Sequence, residues 1–132
     1  MITEASCTVY NKYLVGRVDT WQRVEIEGVH WEQRHAREGN QDNDFTVVFI
    51  PFARGAAYLK PREWQALASK SGSWTLQIGD VIVKSLVSDE LVAGTFTLSD
   101  LKRTYDDVLV IASVDTRDFG SQELRHWEVT AR

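Results

Sequence analysis

The side chains of this chain that could do chemistry are its three histidines, its single cysteine and a few carboxylate clusters. His30 and His35 lie five apart, so on a strand they point to opposite faces and cannot share a metal ion without a bulge. His126, between Arg125 and Trp127, has no ligand-spaced partner either. A metal centre from these histidines and Cys7 therefore has no motif behind it, and polar surface histidines are the simpler reading. Cys7 opens the short apolar run Cys7-Thr-Val-Tyr10. It is not at a helix N-terminus that would lower its pKa, so it reads as a buried structural thiol and not as a nucleophile. Asn40-Gln-Asp-Asn-Asp44 is rich in oxygen ligands but lacks the glycine and final glutamate of an EF-hand loop, and reads as a solvated loop. Asp89-Glu90 and Asp106-Asp107 are adjacent carboxylates, which diverge on a strand and make poor acid–base pairs. No catalytic, cofactor or metal site is expected, and an enzyme is the weakest reading.

Contact chemistry is better represented. Trp21 falls among Asp19, Arg23 and Glu25, on the face of its strand opposite Val18, Val24 and Ile26. Either it is an outward contact residue beside Arg23, or a bulge turns it inward. Arg54, Tyr58, Lys60 and Arg62 gather cationic and aromatic groups in a chain with 15 Lys plus Arg against 19 Asp plus Glu. They are candidates for an acidic partner surface, with a solvated loop as the plain alternative. The net charge of −4 argues against a protein that neutralises phosphates over a broad face. Five Trp residues are a high usage, in keeping with a dense core or an interface.

The elements that position these residues are mostly strands. A chain of 132 residues with 43% apolar content is one domain, residues 1–132, able to bury a single core. Cys7–Tyr10, Val18–Glu27 and Val29–Gln33 read as strands, with Gly28 a turn, a bulge or a close approach. Phe45–Ile50 is apolar on both faces, as in a central strand, and Pro51 ends it. Trp74, Leu76 and Ile78 alternate with polar residues, and Val81-Ile-Val83 follows after Gly79-Asp80. That pattern predicts a hairpin with a II′ turn. Val108–Val114 and Leu124–Ala131 predict a closing hairpin. Pro61–Ala68 reads as a helix, and Ser99 as the cap of another. The expected fold is mainly β: a small β-barrel or sandwich of about seven strands with two short helices and long loops. A barrel fits better, because closure leaves no apolar edges. Trp74, Leu76, Ile78, Val83, Val110 and Trp127 are the expected core. No apolar run reaches membrane-spanning length and the start lacks signal-peptide features, so a cytoplasmic origin is expected. A lone cysteine agrees with a reducing compartment.

Thr8-Val-Tyr-Asn-Lys12, Ser73-Trp-Thr-Leu through Gly79-Asp-Val-Ile-Val-Lys84, Tyr105-Asp-Asp-Val108 and Arg125-His-Trp-Glu-Val129 together resemble a family of small minor structural proteins. These are encoded in the head–tail joining region of tailed phages and prophages of Gram-positive bacteria. The resemblance spans nearly the whole chain, except the loop from Arg34 to Asp44 and Val92-Ala-Gly-Thr95. It implies a neck component, a head-closure (stopper) protein, in the virion after assembly in the host cytoplasm. Such a subunit forms a homo-oligomeric ring, six-fold or else twelve-fold, between adaptor and tail-terminator proteins. Packaged DNA passes its lumen without sequence-specific binding, and an acidic lumen would limit friction. A tail-terminator or tail-tube-like subunit is the alternative within the same virion. A cytoplasmic ligand-binding barrel is the alternative of another class, and predicts a deep apolar pocket and a stable monomer.

Overall fold

In a computed structural model of the chain, which describes residues 5–38 and 41–132 and the side chains outside 35–43, six strands and two short helices follow in order. They are Ala5–Val15 (β1), Val18–Glu38 (β2), Gln41–Pro51 (β3), Pro61–Gln65 (α1), Val81–Val83 (β4), Leu98–Thr104 (α2), Val108–Arg117 (β5) and His126–Ala131 (β6). The strands close into a barrel in the order β1-β2-β3-β6-β5-β4, with every neighbouring pair antiparallel. The barrel, and not the sandwich, is therefore the architecture.

Six strands stand where about seven were expected, for two reasons. Val18–Glu27 and Val29–Gln33 are one strand, continuous through Gly28. Its first half pairs with β1 and its second half with β3. At Gly28, φ +77, the register slips: Ser6 faces Glu27, but Ala5 faces Val29. This is a β-bulge, and the extra residue changes the phase of the alternation. The inward side chains are Val24 and Ile26 before it, and Val29 and Trp31 after it.

The second reason is that the 74–83 hairpin does not form. β4 pairs with β1 and β5, not with the run from Trp74. Trp74 makes a parallel bridge to Tyr58 instead. Asp80 N–H donates to the Gln77 carbonyl at 3.2 Å, which puts Gly79 third in the turn. The II′ pattern belongs to Gly16-Arg17, between the facing residues Val15 and Val18. There Gly16 takes φ +64 while Arg17 keeps a negative φ. A glycine first in a two-residue loop matches the twist of the strands it joins.

The barrel holds two cores. Cys7, Val9, Ile26, Val48, Ile50, Ile82, Ile111, Trp127 and Val129 fill the interior, with Trp74 and Leu76 inserted from the connection between α1 and β4. Outside the wall, Tyr10, Val81 and Val83 point the other way and meet Val87, Leu91 and Leu101. Residues 84–107 thus wrap one side of the barrel, which explains why β4 is apolar on both faces. Of the expected core, Trp74, Leu76, Val83 and Trp127 are buried. Ile78 is 75% exposed because it sits in the turn before Gly79. Val110 is 36% exposed because it lies on the outer face, one residue out of phase with the inward Ile111. The N-cap of α2 is Thr97, not Ser99. Thr97 and Asp100 form a reciprocal capping box, which satisfies two otherwise orphaned N–H groups.

Candidate interface surfaces

Among the described residues, those flagged in the sequence as catalytic or metal-binding lie apart from one another. Cys7 is fully buried in the barrel, and burial pushes its thiol up to about 12. His30 and His126 lie on the same outer face, but the Phe49 ring stands between them, 5.4 Å from each. His35 and residues 40–43 of the oxygen-rich loop lie outside the described side chains. Among the described residues no three acidic, histidine or cysteine side chains group as a metal site. The Asp89-Glu90 pair serves structure. Asp89 accepts from the Tyr105 hydroxyl at 2.6 Å, and its carbonyl accepts from the Tyr10 hydroxyl at 2.7 Å. Glu90 accepts from Arg23 Nε at 3.0 Å. Asp106 and Asp107 are exposed, and Asp107 takes φ +52 just before β5.

The six contact candidates divide by environment. Arg23 is strapped between Glu90, Glu25 and the Val87 carbonyl, tying the outer wrap to β2. Trp21 points away from the barrel interior but packs under the wrap beside Phe96 and Leu98, so it is neither free nor rotated inward. Tyr58 packs edge-on to Trp74 and tilted against Trp127, with ring centroids 5.2 and 4.3 Å away. Arg54, Lys60 and Arg62 are exposed. Arg54 lies against the bare backbone of Gly28, where an added Cβ would fall 2.6 Å from its Nε. With Arg23 it flanks a cleft of about 300 Å³ above Val24 and Trp74.

Buried polarity is concentrated at one lock. Asp80, buried, accepts from Asn11 Nδ2 at 2.7 Å, Lys12 N–H at 3.0 Å and Gln77 N–H at 3.1 Å. Asn11 also donates to the Thr75 carbonyl and accepts from its N–H. Burial raises the Asp80 carboxyl pKa, and these donors oppose the shift. Asp80 and Asn11 are both buried. The lock pins the connection after α1 to β1.

Two surfaces escaped the sequence reading. One is a groove of about 700 Å³ on the unwrapped outer face of β2, β3, β5 and β6. Phe49 forms its floor, and Phe119 and Leu124, 69% and 65% exposed, form its lip. Arg34–Glu32 and Arg117–Glu128 pairs border it. The other is the β1–β2 hairpin tip, where Leu14, Val15 and Val18 are each more than half exposed. The signal for both was present. Phe119 and Leu124 interrupt a polar loop, and Leu14-Val15 precede a Gly-X turn. Large apolar side chains at such places have no core to join.

Residues 2–132 match the model of a family described as "Family of unknown function (DUF6751)". The chain belongs to DUF6751. No curated protein and no solved structure matches it. The description of DUF6751 carries no activity, so the work of this member is argued from its own surfaces. Among the described residues, no helix is long and apolar enough to cross a membrane.

Proposed function

We propose that this DUF6751 member is a structural subunit of a phage or prophage neck, assembling as a ring that joins head to tail and helps hold the packaged DNA. The observation that carries the reading is the pairing of a filled barrel with large apolar side chains left outside it. Trp74, Trp127, Leu76 and Ile82 occupy the barrel interior. Meanwhile Leu14, Val15, Phe119 and Leu124 stand in solvent. Exposed apolar clusters rimmed by polar groups mark protein–protein contacts. The packed interior weighs against the ligand-binding barrel, which needs its cavity inside the wall. The acidic balance of the chain, −4 overall, suits a lumen that DNA passes without adhering. The six-fold ring, the head-closure layer and its neighbours follow from the resemblance to neck proteins. A tail-terminator position remains the second reading within the same particle.

The test is genetic. Deleting the gene from its phage or prophage should give heads that fail to join tails, with restoration by the wild-type chain in trans. Normal, infectious particles without it would contradict the reading.

A further inference from the structure

We infer that this protein docks on a second copy of itself, head to tail, with the Leu14-Val15-Gly16-Arg17-Val18 tip of one subunit in the Phe49–Phe119–Leu124 groove of the next. The inference rests on the ring reading above and supplies that ring's contact. The tip is convex: Val15 and Val18, the last facing pair of β1 and β2, and Leu14, one pair back, stand exposed beside the two-residue turn Gly16-Arg17. The groove is concave, about 700 Å³, with an aromatic floor and an apolar lip. It belongs to other parts of the barrel wall, so one subunit's tip and groove are separate surfaces. A contact between unlike surfaces repeats from copy to copy, and closes as a cyclic ring where its rotation divides a full turn.

The groove also offers acceptors for the cation at the tip. Among the described residues no ion pair reaches Arg17, whereas its neighbours Lys12 and Asp19 pair with each other at 3.3 Å. Glu32 and Glu128 border the groove, each with one arginine partner, at 2.7 and 3.3 Å. A carboxylate accepts several hydrogen bonds, so either can also receive Arg17. A small ligand is served less well. The charged groups at the rim bond one another, and His126 Nδ1 meets the Leu124 carbonyl at 2.8 Å, so these polar lining groups already have partners within the chain. Burial of the tip's apolar side chains needs no polar partner.

Disulfide trapping between Val15→Cys and Leu124→Cys tests the contact, since both positions are exposed and the native Cys7 is fully buried. Mixing the two single variants under mild oxidation should give a cross-linked dimer that neither variant gives alone. A chain carrying both substitutions should give a ladder of oligomers. Adding Phe119→Asp to the Leu124→Cys partner should remove the cross-link without changing its circular dichroism. Cross-linking of Val15→Cys only to itself, or no cross-link in the concentrated mixture, would overturn the inference. So would a small molecule held in the groove of wild-type protein that stays monomeric. The ring reading fails separately. A ring seen in particles with other faces in contact removes only the tip-in-groove contact. Trapping in solution by a chain absent from every particle removes only the neck assignment.

Discussion

At Gly28 the bulge in β2 uses a backbone conformation that a side chain disfavours. Its φ of +77 lies where a Cβ costs about 1–2 kcal/mol. An added Cβ would fall 2.6 Å from Arg54 Nε, but that guanidinium ends an exposed, flexible side chain and can swing aside. Gly28→Ala should therefore destabilise the protein by about the backbone cost in chemical denaturation. Adding Arg54→Ala should recover little of that loss. A Gly28→Ala variant as stable as wild type would mean β2 does not bulge there. Cys7 and Tyr10 make a second residue-scale prediction. Burial raises both, the thiol from 9.0 to about 12. The unfolded chain therefore loses these protons first as pH climbs. The stability they contribute is complete below pH 9 and falls as pH rises through the folded values. Denaturation midpoints should drop above pH 9, and less steeply in Tyr10→Phe. Thiol reagents should label Cys7 only after unfolding. Cys7's burial was legible because an apolar run around a lone cysteine has one common outcome. The groove histidines were legible only as isolated polar groups, since their shared neighbour Phe49 comes from another strand.

At the scale of elements, alternation told which segments were strands but not which strands would pair. Phe45–Ile50 and the β5–β6 hairpin could be read because neighbouring runs with a short loop pair locally. The run 74–78 could not, because Asn11 and Asp80, far apart in sequence, decide where it lies. A Gly-X dipeptide marks a turn in either case, and only the register of the flanking strands makes one of them a hairpin. The same long-range packing sets the energetics. Trp127 meets Phe52, Tyr58 and Trp74 within the barrel, so Trp127→Ala should cost about 3–5 kcal/mol. An unchanged melting temperature would contradict its place in the core. Thr97→Ala removes half of the α2 capping box and should cost about 1 kcal/mol by the same measurement. A loss as large as that for Trp127 would mean the wrap, and not the barrel, limits stability.

For the whole molecule, the closed barrel answers the edge problem that the apolar strands pose, and its two cores take four of the five tryptophans. Trp74 and Trp127 are buried in the inner cluster, Trp31 and Trp21 pack against the inner and outer clusters, and Trp64 is buried on α1 against Tyr13. What composition could not disclose is which apolar residues stay outside, because exposure is a property of the finished wall. On the proposed neck reading, the exposed cations Arg54, Lys60 and Arg62 would meet an adjacent layer. Exchanging Arg54 and Arg62 together for Glu should impair particle joining in complementation while leaving circular dichroism unchanged, since both side chains are exposed. Normal joining would remove that loop from the interface. The most direct test of the neck assignment is a reconstruction of the particle made by a phage or induced prophage that encodes this chain. The expected result is a cyclic ring of this barrel between head and tail, with the DNA path through its centre. Particles that lack the chain, or hold it as a lone copy outside any ring, would contradict it.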